Sequence, residues 1–343
     1  MKKVLWLVIF LLFINPVFGF AQVQDSPSTK DNSNINEHPY DLIGSDGTVV
    51  KYEDYSSFIK KNKIRMPEVS KKGNGTVSNT NMKKILEDKN WRNLDQVRSF
   101  DSNKIIGSDA STINPYAVIG TDGRQKVTNT SISPHRMISY IELDFGDFFA
   151  QCTGTVIGKD MILTNAHCVQ DLDSGSDVES AVVIPAVKDS HYSYGAYTME
   201  KFLVPRGYED SDGSSAYDFA IIKTNKNGTS EVGDVTGTLP VKQVNNIDEL
   251  SIKIYGYPGD KIASTGIVDQ WGMSGKVEQE DTYVAYYSLD TAGGQSGSAI
   301  LNSSNQIVGV HNAAYTTTGG TTINGGPKMT KPMYDFITFA SLQ

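Results

Sequence analysis

The chain has 343 residues, a length that suggests about two domains. Hydrophobic residues make up 38% and charged residues 20%, which is enough apolar material for a packed core and argues against global disorder. The formal net charge is −8, so the composition disfavours nucleic acid as a partner, because phosphate binding depends on basic patches.

The first 21 residues have the pattern of a secretory signal peptide. Two lysines precede the apolar run VLWLVIFLLFI, and GFA at 19–21 supplies small residues where a signal peptidase would cut. The run is too short for a membrane-spanning helix. We therefore expect residues 1–21 to be removed and the chain to be secreted, with no membrane association afterwards. A membrane anchor is the alternative.

Residues 22–116 differ in charge from the remainder of the chain. Through residue 116 the chain has 16 Lys and Arg against 13 Asp and Glu, whereas residues 117–343 have 15 against 26. A mildly basic leader before an acidic body is consistent with a pro-segment that docks on its own mature domain. An ordinary linker is the alternative interpretation.

From residue 117 onward the pattern is that of β-structure. ISYIELDF (138–145) alternates, with Ile141, Leu143 and Phe145 on one face and acidic residues on the other. Further short apolar runs, punctuated by Gly, Asn, Asp and Ser, favour a sandwich or barrels. One helix is predicted near the end, in KPMYDFITFASLQ, with Pro332 in its first turn and an apolar face made of Met333, Phe336, Ile337 and Ala340.

The chain has two cysteines, Cys152 and Cys168. In an exported protein an even pair predicts a disulfide, and closing the loop between these two would stabilise the fold by roughly 3 kcal/mol in the chain-entropy model. Two thiols are too few for a zinc site unless His167 and other residues join them. The acidic run DLDSGSDVE (171–179) has no glycine at the sixth position that a calcium-binding loop requires, so a solvated turn is favoured. We expect no metal and no cofactor.

The stretch DTAGGQSGSAI (290–300) places Ser296 among glycines. A serine hydroxyl is a poor nucleophile unless a base takes its proton, and that base needs an acid to orient it. His167 follows the apolar strand in TNAHCV, and Asp218 precedes another in AYDFAII. The order His, Asp, Ser is that of the chymotrypsin type. It differs from the Ser, Asp, His order of the α/β-hydrolases. The sequence around the serine, GQSGS, also does not fit the GxSxG motif of those enzymes.

These segments resemble the bacterial glutamyl endopeptidases, secreted serine proteases that cut after glutamate. The resemblance covers residues 117–343. It rests on six segments in the right order: AVIGTDGRQKVTNT, CTGTVIGKDMILTNAHC, YDFAII, GYPGDK, DTAGGQSGS and the VH pair at 310–311.

The resemblance implies an all-β fold, a chymotrypsin-like double antiparallel β-barrel with a C-terminal helix, preceded by the signal peptide and the pro-segment. The first barrel would carry His167 and Asp218 and the second Ser296, with the boundary between them near 232–240. The chain would be a monomeric serine endopeptidase that hydrolyses protein or peptide substrates through an acyl-enzyme. The backbone N–H groups of Gly294 and Ser296 would form the oxyanion hole.

Glutamate specificity is also carried by the resemblance. His311 and Thr291 would hold the substrate carboxylate, and the α-amine of Ala117, the expected mature start, would add a positive charge near it. Asp290 lies where trypsin-like enzymes place the acid that binds basic substrates, but glutamate-specific relatives often carry it too, so it does not decide the preference.

Alternatives remain open at this point. They are a trypsin-like or broad-specificity protease on the same fold, and an inactive binding or toxin module. Two departures from the family, Ala299 in place of proline and HNAAY (311–315) in place of a glycine-bearing segment, weaken the prediction of strict glutamate preference. No glutamate lies between Asp101 and Ala117, so we expect another protease to release the mature chain.

Overall fold

The computed structural model describes residues 37–70, 117–317 and 320–343, together with three two-residue strands between residues 97 and 112. The predicted signal peptide lies outside the described residues. The strands are β1 (Leu42–Gly44), β2 (Val49–Val50), β3 (Val97–Arg98), β4 (Ile105–Ile106), β5 (Ser111–Thr112), β6 (Gln125–Lys126), β7 (Ile138–Asp144), β8 (Phe149–Val156), β9 (Met161–Thr164), β10 (Gln170–Asp171), β11 (Ser176–Asp177), β12 (Ser180–Pro185), β13 (Tyr197–Pro205), β14 (Ala220–Thr224), β15 (Ser251–Gly256), β16 (Trp271–Lys276), β17 (Gln279–Glu280), β18 (Val284–Tyr287), β19 (Ala299–Asn302), β20 (Ile307–Val310), β21 (Ala313–Thr316) and β22 (Thr322–Pro327). The α-helices are α1 (Tyr52–Asn62), α2 (Arg206–Asp210), α3 (Val232–Thr236), α4 (Gly259–Thr265) and α5 (Lys331–Ala340).

Six strands of the first half close into an antiparallel barrel. The order β7-β8-β9-β14-β13-β12 returns to β7, because β12 pairs with both β13 and β7. Closure leaves these six strands without a long exposed edge. The short strands β1 and β2 extend the same sheet from β13, and β3 pairs in parallel with β8.

The second half consists of two antiparallel sheets. One has the order β20-β19-β15-β16-β6 and the other β17-β18-β22-β21. An isolated bridge between Gly309 and Lys328 connects them. The resemblance implies two antiparallel barrels and a C-terminal helix. The mainly β fold, a closed six-stranded barrel and the helix are confirmed, and the other half is built from the two sheets above.

Strand β7 is buried on both of its faces. Ile141 and Leu143 belong to the main core, as the sequence pattern predicts. Ile138 and Tyr140 on the opposite face join a second apolar cluster that includes Tyr257 from the other half of the molecule. The two halves therefore pack against each other through the outer face of this strand.

The C-terminal helix α5 packs on the first barrel. Its predicted apolar residues Met333, Phe336, Ile337 and Ala340 are all buried in the main core. Phe336 meets Phe219 of the first barrel edge-on, with ring centroids 5.2 Å apart. The last helix thus links the end of the chain to the half that carries Asp218.

None of the helices in the described ranges has the length and apolar content that crossing a membrane requires.

Candidate active site

The pairing of β9 with β14 brings His167 and Asp218 together. Ala220 lies opposite Thr164 in this antiparallel pair, so the residues after β9 meet those before β14. His167 Nδ1 lies 2.7 Å from Asp218 Oδ2, and the His167 backbone N–H donates to Asp218 Oδ1 at 3.0 Å. A carboxylate facing Nδ1 favours the tautomer with the proton on Nδ1, which leaves Nε2 as the basic nitrogen.

Two asparagines hold the aspartate in place. Asn165 Nδ2 donates to the Asp218 carbonyl at 2.6 Å, and Asn312 Nδ2 donates to Asp218 Oδ2 at 3.2 Å. The Asn312 side chain is fixed in turn by Tyr315, whose hydroxyl donates to Asn312 Oδ1 at 2.7 Å. Sequence reasoning missed Asn312, although a partly buried carboxylate needs donors on both oxygens.

The predicted disulfide is present beside the histidine. Cys152 in β8 is bonded to Cys168, the residue that follows His167. Candidate ligand atoms of Cys152, His167 and Cys168 lie within 4.8 Å of one another, but both sulfur atoms are used in the disulfide. The arrangement therefore ties the backbone next to His167 to β8 and does not offer thiolates to a metal.

Ser296 lies in a tight loop that contacts the first barrel. Thr153 of β8 donates its backbone N–H to the Ser296 carbonyl at 2.8 Å. Gly297 has φ +83°, and a Cβ there would overlap the Thr153 carbonyl and the Thr164 hydroxyl. Glycine at this position lets the loop lie directly on the strand that leads to His167. The loop that carries Ser296 thus lies against β8 and the end of β9, the strand that leads to His167.

The residues before Ser296 form a four-residue turn. The Gln295 N–H donates to the Ala292 carbonyl at 3.0 Å, and Gly294, the third residue, has φ +90°, as in type II turns. The Thr153 hydroxyl donates to the Gly294 carbonyl at 2.8 Å. This hydrogen bond fixes the Gly294 carbonyl toward Thr153, and so fixes the orientation of the peptide groups in the turn. Among the described residues, the N–H groups of Gly294 and Ser296 donate to no acceptor.

A fully buried arginine, Arg124, bonds the side chain of the last residue of this turn. Arg124 Nη1 donates to Gln295 Oε1 at 3.2 Å and to Asp260 at 3.1 Å, and Asp122 accepts two further bonds of 2.9 Å. Burial opposes the charge on Arg124, but hydrogen bonds to Asp122 and Asp260 keep its pKa above the usual value. Sequence analysis did not identify Arg124, since nothing in the order of residues connects it to Gln295.

The candidate specificity pocket contains two buried polar atoms without partners. His311 Nδ1 lies 2.9 Å from the Tyr287 hydroxyl and 3.1 Å from the Gly325 carbonyl, while its Nε2 and the Thr291 hydroxyl have no hydrogen-bond partner among the described residues. Burial lowers the pKa of His311 to about 3, so the free protein holds a neutral ring at pH 7. Such atoms usually mark the site of a ligand or an ordered water.

Asp290 does not present a free carboxylate to this pocket. Its Oδ1 accepts from the Ile119 N–H and its Oδ2 from the Gly123 N–H, both at 2.7 Å. Ala117 lies next to Thr291, because its carbonyl accepts from the Thr291 N–H at 3.1 Å and from Asn324 at 2.8 Å. Asp290 therefore anchors the segment that begins at Ala117.

Comparison with known proteins agrees with this architecture. A family model described as a trypsin-like peptidase domain matches residues 152–310. The glutamyl endopeptidase of Bacillus licheniformis is 33% identical over 237 residues, which cover 65% of this chain and 70% of the relative. The glutamyl endopeptidase of Staphylococcus aureus strain MRSA252 is 30% identical over 200 residues, covering 57% and 51%.

A solved structure of a Glu endopeptidase in complex with MPD has a TM-score of 0.61 and 48% identity; the match covers 66% of this chain and 100% of that one. The fold is thus chymotrypsin-like. From this agreement of sequence, barrel topology and structural likeness, we conclude that the chain belongs to the glutamyl endopeptidase family and is a serine endopeptidase.

Proposed function

We propose that the endopeptidase cuts peptide bonds with a triad of His167, Asp218 and Ser296. The proposal is supported by the 2.7 Å contact between His167 and Asp218 and by the packing of the Ser296 loop on β8 and β9. In this mechanism Ser296 attacks the scissile carbonyl while His167 Nε2 takes its proton. His167 then donates the proton to the leaving amine, and water resolves the acyl-enzyme by the reverse sequence.

Gly294 and Ser296 would stabilise the negative charge that develops on the carbonyl oxygen. Their N–H groups have no acceptor among the described residues, and the turn that carries them is held by Thr153, Arg124 and Gln295. One donor of this kind typically contributes about a hundred- to a thousandfold in rate. A turn held on both sides keeps that donor in position before the substrate arrives.

The preference for glutamate rests on the pocket. The single observation that carries it is the pair of buried, unpartnered atoms, His311 Nε2 and Thr291 Oγ1. His311 donates from Nε2 in the neutral tautomer whose Nδ1 accepts from the Tyr287 hydroxyl, which gives up the hydrogen bond between Nδ1 and the Gly325 carbonyl. The Thr291 hydroxyl can also donate. Both atoms would bind a substrate carboxylate, whereas a basic side chain would find Asp290 already occupied by two backbone N–H groups.

The arrangement around Ala117 supports cleavage before this residue. Its carbonyl is fixed next to Thr291, so a new α-amine would lie near the proposed carboxylate site. We place a signal peptide at 1–21, a pro-segment at 22–116 and the protease domain at 117–343, with secretion as a zymogen. The cut would follow Tyr116, so an enzyme strict for glutamate could not make it, and another protease would release the mature chain.

A panel of peptides that differ only in the residue before the scissile bond tests the function. We expect the mature protein to cleave the Glu peptide much faster than the Gln, Asp, Lys and Phe peptides. Ser296→Ala should lose all cleavage and all labelling by a fluorophosphonate. Cleavage that is equal across the panel would refute the pocket, and labelling that persists in Ser296→Ala would refute the assigned nucleophile.

A further inference from the structure

Residues 37–70 are folded onto the protease domain. The strand β1 pairs with the end of β13, in the register Leu42 with Pro205 and Gly44 with Leu203. β12 pairs with only the beginning of β13, so β1 covers a stretch that would otherwise be an open edge. An unpaired edge presents free backbone N–H and C=O groups to which another strand can pair. The leader thus completes the sheet from outside the domain that we assign to 117–343.

Aromatic packing attaches the same segment to helix α5. Tyr55 of α1 is 1% exposed and stacks on Phe339, with ring centroids 5.1 Å apart. Tyr40 meets Tyr217 edge-on at 5.4 Å and lies 6.2 Å from Phe219. Tyr217 and Phe219 flank Asp218 in the chain. The segment therefore packs against the residues on either side of Asp218, the proposed catalytic acid, just before β14.

Polar groups in this contact are also satisfied. The Asp41 side chain is fully buried, and it accepts from the Tyr52 N–H at 2.8 Å and from Lys51 Nζ at 2.7 Å. The backbone carbonyls of Asp41 and Pro39 accept from the N–H groups of Arg206 and Gly207 at 2.9 and 2.7 Å. A contact with its buried charge paired and its backbone groups bonded has the character of a domain interior.

The hydrogen bonds and ring contacts of the segment lie away from the residues of the proposed site. No hydrogen bond or ring contact joins residues 37–64 to Ser296, Thr291 or His311 in the part of the chain that the structure describes. Ser70, at the far end, exchanges two bonds with Thr238 in the connection between the two halves. Occupation of this surface and access of a substrate to Ser296 are therefore compatible.

We propose that residues 37–70 stay bound to the 117–343 domain after the chain is cut before Ala117, as a non-covalent second chain. The inference rests on the proposed pro-segment boundary, because the cut would remove only the covalent connection and none of the contacts above. Loss of the segment would expose the β13 edge and the aromatic surface of Phe339, Tyr217 and Phe219. The retained chain would shield these from aggregation and hold the segment that carries Asp218.

The test uses the full chain with Ser296→Ala and a foreign protease site in place of residues 113–116. After the cut, we expect the leader and the 117–343 fragment to elute together from a sizing column at micromolar concentration, and to separate only in denaturant. Intact-mass measurement of the peak identifies both fragments. Separation of the two fragments without denaturant would overturn the proposal.

Two variants test the surface itself. Leu42→Asp buries a charge in the β1 contact and should weaken the association by about a hundredfold. Val49→Asp, on the neighbouring strand where Val49 is 54% exposed, should leave it unchanged. Equal effects of the two variants would contradict the assigned surface. Should Leu42→Asp hinder folding of the uncut chain, Tyr55→Ala serves in its place. The readout does not require activity, so a failed peptide panel would refute the proposed function and leave this result standing.

Discussion

Replacement of His311 by leucine tests the most specific part of the proposed chemistry. The side chain is fully buried, and its backbone bonds with Gly297 and Ser298 do not depend on the imidazole. Leucine keeps most of the volume and removes Nε2 as a donor. A substrate glutamate would then lose one hydrogen bond to its charged carboxylate, while a substrate glutamine would lose only a neutral one.

The size of the effect follows from the type of bond. A hydrogen bond to a charged group contributes about 1.5–3 kcal/mol, and a neutral one about 1 kcal/mol. We therefore expect kcat/KM for the Glu peptide to fall about 10- to 150-fold, with a clearly smaller loss for the Gln peptide. The measurement is kcat/KM on two peptides that differ only in this residue.

A matched histidine provides the control. His191 is exposed, so His191→Leu should leave the ratio of the two peptides unchanged. If His311→Leu reduces cleavage of the Glu and Gln peptides by the same factor, His311 supports the loop and does not recognise the carboxylate. The glutamate pocket would then have to be placed elsewhere.

Three further predictions concern the surrounding groups. Arg124→Leu removes the buried cation that bonds Gln295, while Asp122 keeps Lys261 and Asp260 is partly exposed, so the carboxylates are not left buried and unpaired. We expect a loss of about 1–2 kcal/mol in the free energy of unfolding, measured with denaturant, and a lower kcat. An unchanged kcat would contradict the support of the oxyanion turn by Arg124. Asn312→Ala removes one donor to Asp218 and should lower kcat about tenfold with little change in KM. A change in KM without a change in kcat would contradict this role of Asn312. Gly297→Ala should abolish activity and the folded melting transition, because its Cβ would overlap β8 and β9. Gly266→Ala has a similar positive φ with open space around it, and should cost about 1 kcal/mol; equal effects would refute the steric argument.

Local patterns in the sequence predicted much of the fold. The β-character, the inward face of β7, the C-terminal helix and the disulfide are confirmed. All of them depend on periodicity, composition or residue type within short stretches. The roles of His167, Asp218 and Ser296 stay predictions, although the structure brings the first two into contact and sets the third on the strands beside them.

The supporting residues could not be predicted in this way. Arg124 and Gln295 are 171 positions apart, and Asn312 reaches Asp218 across 94. Neither contact leaves a local pattern, because a buried arginine and a buried asparagine are recognised only from what surrounds them. The docking of β1 on β13 is equally invisible, since a three-residue strand is too short to give a periodic signal.

The segment that follows the proposed cleavage site and the loop before Ser296 form a single unit. Four residues of the stretch 117–124 bond that loop directly: Ala117 bonds Thr291, Ile119 and Gly123 bond Asp290, and Arg124 bonds Gln295. A trypsin-like enzyme would use the acid at 290 for its substrate, whereas here both carboxylate oxygens bind the chain itself. Order in the start of the mature domain and order in the oxyanion turn should therefore be gained or lost together.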